Sequence, residues 1–264
     1  MVIIRHNKLG LIVGVYCAFD LEKVVMSFFQ MFEVYVSEEK IYCDTVYGLE
    51  YKNNKILLTT SDVDFDFCCV EEALIYLSDV LVEQLRYVGA YFHGAVSLDK
   101  SGRAVAIIGK TMIGKTSFNM FLYKHGYRFL SDDKVIVDDA LQVISFPTGI
   151  KVRRGIIWDD SYFDKFCVYK NDNYKILSLN VDMCLDKKNY DIGKFIFLQR
   201  GYETLSVKEI SGGELFLALF ENSSKLNSVK NQAFTAAALS KSIKAYVLNY
   251  SKLDYELLKL INSI

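Results

Sequence analysis

Residues 109–116 read Gly-Lys-Thr-Met-Ile-Gly-Lys-Thr, an unbroken G-x-x-x-x-G-K-[ST] pattern. The apolar run Val105–Ile108 precedes it and a helical pattern follows. The pattern demands a strand, a tight loop and a helix in that order, because its chemistry draws on all three. Gly109 and Gly114 let the backbone turn so that successive N–H groups converge on phosphate oxygens. A helix beginning at Lys115 points its positive dipole end at the same anion. The Lys115 ammonium reaches the terminal phosphates, and the Thr116 hydroxyl is placed to ligate magnesium. Gly109, Lys110, Thr111, Met112, Ile113, Gly114, Lys115, Thr116 and Ser117 are therefore expected to bind a nucleotide. The loop alone does not distinguish a kinase from an ATPase, a GTPase or a switch.

The rest of the chain fits an α/β reading. From Tyr91 strands alternate with helices: Tyr91–Leu98 and Ala104–Ile108 read as strands, Lys115–His125 as a helix stopped by Gly126. Short strands follow at Phe129–Leu130, Val135–Val137, Ile150–Val152, Gly155–Trp158, Phe195–Leu198 and Ala245–Asn249. Helices are expected over Glu214–Phe220, Gln232–Ser242 and Leu253–Ile261. Before residue 90 the pattern is that of a small α+β module. Its strands are Leu9–Phe19, Glu33–Val36, Lys40–Tyr51 and Ile56–Thr60, with a turn at Asn53-Asn54. Its helices are expected at Val24–Phe32, capped by Asp20, and at Val70–Arg86. At 264 residues the chain suits a core domain plus a smaller one, here 1–90 and 91–264, with no Gly/Ser or Pro linker between them.

Three features around the loop carry chemistry. Asp132, sixteen residues beyond Thr116, and its neighbour Asp133 stand at the end of a short strand. Adjacent carboxylates there can divide two tasks, one orienting Mg²⁺ and the other accepting the proton of an attacking hydroxyl; a solvated turn is the plain alternative. Asp138-Asp139, a second such pair, reads as a turn. His93 lies on a strand leading towards the loop, where an imidazole can donate to a phosphate or steady an aspartate, unless it is simply a core group. Lys151 and Arg153 share one face of a strand, with Arg154 beside them. That face suits transferring phosphoryl charge, an acidic substrate or plain solvent.

Charge excludes some partners. With 31 basic and 32 acidic side chains the chain lacks the basic surface that nucleic acid requires. Residues 103–154, however, hold nine Lys or Arg against four Asp, which concentrates positive charge around the loop. The run after Arg5 and Lys8 contains Gly10 and Gly14, lacks a small-residue exit site and is too short for a membrane span, so it reads as strand in a cytoplasmic protein. Six cysteines show no C-x-x-C spacing and are expected to be buried thiols, the vicinal pair Cys68–Cys69 included.

The ordered set His93-Gly94, Gly109 to Thr116, then Gly126-Tyr127-Arg128 and Leu130-Ser131-Asp132-Asp133 resembles the catalytic domain of HPr kinase/phosphorylase. It is also similar to the shorter HPr-kinase-like proteins of peptide-modification clusters, such as lasso-peptide precursor kinases. The resemblance spans residues 91–157 and thins out afterwards. It implies a P-loop kinase core of the type shared with phosphoenolpyruvate carboxykinase, use of ATP and Mg²⁺, and phosphoryl transfer to a serine on a peptide or small protein. Under it Asp132 takes the role of base, Asp133 and Thr116 hold the metal, Lys115 and His93 attend the phosphates, and Arg153 is the retained arginine of a catalytic segment. Departures accompany it. Met112 replaces a loop glycine and is expected to close the loop down, Ser117 replaces a glutamate, and Lys151 reverses a charge. These count against the phosphorylase half of the family's activity and against HPr as the substrate. The sequence therefore predicts a serine kinase acting on a peptide or small protein, with a small-molecule kinase or a non-catalytic nucleotide-binding module as alternatives. The N-terminal module would dock the acceptor or form a homo-oligomer contact.

Overall fold

The computed structural model describes residues 1–6, 11–17, 19–29, 33–37, 45–52, 55–60, 63–83, 88–146, 148–154, 158–170, 172, 174–179, 189–201, 204–223 and 229–264. The chain is a mixed α/β protein with several sheets. Its contacts group into two compact units, Met1–Arg86 with Pro147–Val181, and Tyr87–Phe146 with Asp182–Ile264.

In the first unit the chain runs β1 (Val2–His6), β2 (Leu11–Cys17), α1 (Phe19–Phe28), β3 (Glu33–Val36), β4 (Thr45–Lys52), β5 (Lys55–Thr59), β6 (Asp64–Phe67) and α2 (Val70–Glu83). The strands form one sheet in the order β3-β1-β2-β4-β5-β6, in which β2 and β4 are the parallel pair. The spacing of α2 does what its pattern predicts: Ala73, Leu74, Leu77 and Leu81 are fully buried on one face. The first helix begins earlier than expected, so Asp20 lies inside it rather than capping it. Strand β1 was not anticipated, and the Asn53-Asn54 turn lies outside the described residues.

The second unit opens with β7 (Val88–Leu98), β8 (Ala104–Ile108), α3 (Lys115–Lys124), β9 (Arg128–Ser131), β10 (Lys134–Asp138) and β11 (Gln142–Ile144). The chain then supplies a three-stranded antiparallel sheet to the first unit. This sheet comprises β12 (Ile150–Arg153), β13 (Cys167–Lys170) and β14 (Tyr174–Leu177), with β14 central. A 3-10 helix over Ser161–Phe166 precedes β13. Trp158 lies in a turn rather than a strand, and residues 155–157 and Pro147 fall outside the described set.

The second unit resumes with β15 (Asn189–Arg200), β16 (Ser206–Ile210), α4 (Gly212–Glu221), α5 (Val229–Ser242), β17 (Lys244–Tyr250) and α6 (Tyr255–Ser263). Its sheet runs β11-β10-β7-β8-β15-β17-β16, with β9 paired to β7 and β11 also paired to β15. Strands β8, β15 and β17 are mutually parallel. Every residue of β8 is buried, as expected for an interior strand flanked on both sides. Phe118 and Leu122 of α3 and Leu257 and Ile261 of α6 share one core with Ile107, Ile196 and Leu248 of those strands. Each such side chain contributes about 1.5–3 kcal/mol on burial. The Asp254 carboxylate starts α6 by accepting from the Leu257 amide at 3.0 Å. Helix α3 stops where Gly126 takes φ 90, a conformation its missing Cβ permits.

Of the described cysteines, Cys17, Cys69 and Cys167 are half-buried and Cys68 is exposed, and none is in a disulfide. The expectation of buried thiols fails for them; Cys43 and Cys184 lie outside the described residues. Among the described residues no helix is long and apolar enough to cross a membrane.

Candidate functional site

The carboxyl end of β8 delivers the chain into the glycine-rich loop. The Lys110 carbonyl accepts from the Ile113 amide at 3.2 Å, and the Gly114 carbonyl from the Phe118 amide at 2.9 Å, which closes the turn and begins α3. A Cβ at Gly109 would stand 3.1 Å from Ile113 Cγ2 and 3.3 Å from the Leu198 carbonyl oxygen, so the loop packs tightly against β15. Gly114 enters the helix at φ 105, where an L side chain is strained. Met112 also has positive φ, 66°, and its side chain is 80% exposed. The methionine therefore projects into solvent and does not close the loop down as its bulk suggested.

Lys115 is buried and folds back over the loop, its Nζ donating to the carbonyls of Gly109 at 2.9 Å and Lys110 at 3.0 Å. Burial pushes the ammonium pKa down, against the opposing pull of Asp133 and Asp132. At the next residue, the Thr116 hydroxyl donates to Asp132 Oδ2 at 3.0 Å. Asp132 follows the end of β9 and is 3% exposed, and its other oxygen, Oδ1, is buried with no hydrogen-bond partner. Burial first, then the neighbouring Asp133, raise its carboxyl pKa well above the ordinary range; the Thr116 bond and the Lys115 charge offset this only in part. An orphaned acceptor of this kind is costly unless something satisfies it. A cation or a donating hydroxyl is the chemistry that would pair with this oxygen.

Asp133 is half-buried at φ 61, and its carbonyl accepts from the Gly94 amide at 3.3 Å. His93, the next residue back along β7, pairs in register with Lys134. Burial lowers the imidazole pKa most, and the Lys115 charge adds to it, against Asp133. The neutral ring is thereby favoured. Gly94 makes this placement possible, since a Cβ there would lie 2.5 Å from the Ile107 carbonyl oxygen and 2.7 Å from Val135 Cγ2. His93, Lys115, Thr116, Asp132 and Asp133 thus act on one another at the carboxyl end of β8.

A buried polar relay that no motif singles out holds this end in shape. Ser97 of β7 donates to Asn119 Oδ1 at 2.6 Å, and Asn119 Nδ2 donates to the Ser131 carbonyl at 3.0 Å. Ser131 Oγ in turn donates to the Lys134 carbonyl, bracing the turn that carries Asp132 and Asp133. The one signal in the sequence is Asn119 itself, a polar residue between Phe118 and Met120 on the buried side of α3. Elsewhere, Asp138 accepts from the amides of Ala140 and Gln142, both at 2.9 Å, which makes the second Asp pair a turn as expected. Arg153 is exposed on β12 and belongs to the first unit, as do Lys151 and Arg154. Lys151 lies 5.0 Å from the Tyr174 ring and Arg154 5.9 Å from the Trp158 ring.

No protein-family model matches the sequence, and no curated protein matches it either. Among solved structures, the HPr(Ser) kinase/phosphatase from Coxiella burnetii is similar over 66% of this chain and 91% of that one, with 12% identity and a TM-score of 0.32.

Proposed function

We propose that the chain is an ATP- and Mg²⁺-dependent kinase that passes the γ-phosphate to a serine hydroxyl of a peptide or small protein. The observation that carries this reading is the pairing of Thr116 with Asp132 beside the buried Lys115, in a loop whose amides start α3. Among the described residues no group of three or more His, Cys, Asp or Glu is arranged to hold a metal by itself. Magnesium binds through one or two protein oxygens together with nucleotide phosphates. Thr116 and Asp133 would hold it, and it would supply charge neutralisation at the phosphates. Lys115 exchanges its loop carbonyls for phosphate oxygens, and the loop amides orient the chain in line with the acceptor. Asp132 takes the hydroxyl proton at Oδ1, its Oδ2 being held by Thr116; its raised proton affinity suits a base. A neutral His93 donates to the terminal phosphate. Arg153 would add positive charge, and residues 1–90 would dock the acceptor or a second copy of the chain. The fold expected with this chemistry is a P-loop kinase core of the HPr kinase and phosphoenolpyruvate carboxykinase type.

The burial of Asp132 favours a second division of labour, in which Asp132 serves the metal with Thr116 and the more open Asp133 is the base. Incubation with γ-labelled ATP and serine peptides, followed by mass spectrometry, tests the main reading. Label must appear on a polypeptide; label on a metabolite, or ATP binding with no transfer to any acceptor, overturns it.

A further inference from the structure

Past its last pairing with β8, where Phe197 faces Ile108, β15 continues alongside the loop through Leu198 and Gln199 to Arg200. Arg200 is in register with Tyr250, the last residue of β17. Both side chains reach the start of α3: a Cβ built at Gly114 would lie 3.2 Å from the Tyr250 hydroxyl and 3.7 Å from Arg200 Nη1. The Tyr250 hydroxyl donates to the Ile113 carbonyl at 3.5 Å. Burial raises the Tyr250 phenol pKa and the Arg200 charge pulls it back, so that charge is felt at the loop.

Arg200 is exposed, and among the described residues its guanidinium has no hydrogen bond or ion pair to a carboxylate. The guanidinium thus stands at the positive end of a helix, where an anion is favoured. An exposed guanidinium at that end can meet an anion that binds there. Ligands of open α/β sheets also bind outside the carboxyl ends of parallel strands, and Arg200 and Tyr250 are two of those ends.

We propose that Arg200 is a phosphate-binding residue of the nucleotide site, its guanidinium gripping the non-transferred phosphates from the Gly114 side while Tyr250 steadies the loop at Ile113. The planar fork of an arginine matches two phosphate oxygens at once. The proposal rests on the nucleotide-binding reading above and adds a specificity to it: the site prefers nucleoside di- and triphosphates to monophosphates.

Calorimetric titration of the full chain with ATP, ADP, AMP and inorganic tripolyphosphate tests it, using wild type, Arg200→Ala, Arg200→Lys and Lys115→Ala. Arg200→Ala should weaken ATP, ADP and tripolyphosphate by about tenfold while AMP changes less than about twofold, and Arg200→Lys should recover part of the loss. Wild-type affinity for ATP and tripolyphosphate in Arg200→Ala overturns the proposal, as does an equal loss for AMP, which would mark a merely structural role. Should Arg200→Ala fail to fold, Arg200→Gln gives the same comparison. Tripolyphosphate binding that depends on Arg200, in a chain that ignores nucleotides, would sink the kinase reading and keep the phosphate role. A wild type that binds neither probe sinks both.

Discussion

Thr116 and Asp132 stand 3.0 Å apart, hydroxyl to carboxylate, at opposite ends of a sixteen-residue excursion through α3 and β9. The bond joins the first turn of the helix that follows the loop to the turn that follows the next strand. Relay residues on either side, Asn119 from the helix and Ser131 from the strand, keep that excursion in register. The pair thus couples the glycine-rich loop to the turn that carries the two carboxylates.

Asp132→Asn separates the chemistry of this carboxylate from its cost. An acid whose pKa is raised on folding contributes stability that is full below its unfolded value and is lost as pH rises through the folded value. Above the ordinary carboxylate range, at about pH 8, the wild type therefore bears a penalty for keeping a carboxyl in this buried place that the asparagine lacks. The variant should be more stable there by about 1–3 kcal/mol, with the gap closing towards pH 4. Calorimetric melts across that range check the trend, and a gap that widens on acidification would contradict the raised pKa. In the same variant phosphate transfer should fall by about a hundredfold or more with ATP affinity nearly intact. If Asp133→Asn abolishes transfer and Asp132→Asn does not, the two carboxylates exchange roles.

Lys115→Ala removes an ammonium that already has two backbone acceptors in the loop. The carbonyls of Gly109 and Lys110 can turn to water, so the cost to stability should stay near about 1 kcal/mol. Affinity for ATP should fall by about tenfold or more, since the same ammonium is what the phosphates would recruit. Fluorescence titration with a labelled nucleotide reads this directly, and unchanged affinity would remove the loop from the site.

The parts of this site that local chemistry dictates are visible in the bare chain. Gly109 to Thr116 requires its strand and helix, and both stand where the apolar run and the helical spacing put them. The ends of β15 were not visible. Its four-residue apolar centre reads as the whole strand, because Asn189, Asp191, Lys194 and Gln199 owe their extended backbone to β8, β11 and β17, which lie far away in sequence. Arg200 shares that fate, since nothing near it in sequence announces the loop it borders. Strand β16 was hidden for a related reason: Ser206, Lys208 and Glu209 are exposed on an edge, and no alternation of apolar residues marks them. The bulk of Met112 misled in the opposite direction, because side-chain size says nothing about which way a loop residue points.

Met112 offers a separate test of that loop. Its φ of 66° is uncommon for a side-chain-bearing residue, and its 80% exposure means little burial is at stake. Met112→Gly should keep stability within about 1 kcal/mol, the relief of strain offsetting the greater freedom of the unfolded chain. Met112→Val, β-branched and ill-suited to positive φ, should cost about 1–2 kcal/mol. Denaturant melts of the two variants decide the matter, and a valine as stable as the glycine would mean that the loop backbone is relaxed at this position.

Of the described glycines, Gly94 leaves the least room for a side chain. A methyl group there would meet the Ile107 carbonyl oxygen at 2.5 Å and Val135 Cγ2 at 2.7 Å. The valine methyl can shift, but the carbonyl belongs to β8 and is held by its neighbours on both sides. Gly94→Ala must therefore push β7 away from β8, at a cost of about 3 kcal/mol or more. Because His93 is the preceding residue and the Asp133 carbonyl is the acceptor of the Gly94 amide, the displacement should reach the site as well as the core. The variant should melt well below the wild type and, where still folded, bind ATP more weakly than the wild type does. A Gly94→Ala protein with wild-type melting would show that β7 and β8 are farther apart than these distances require.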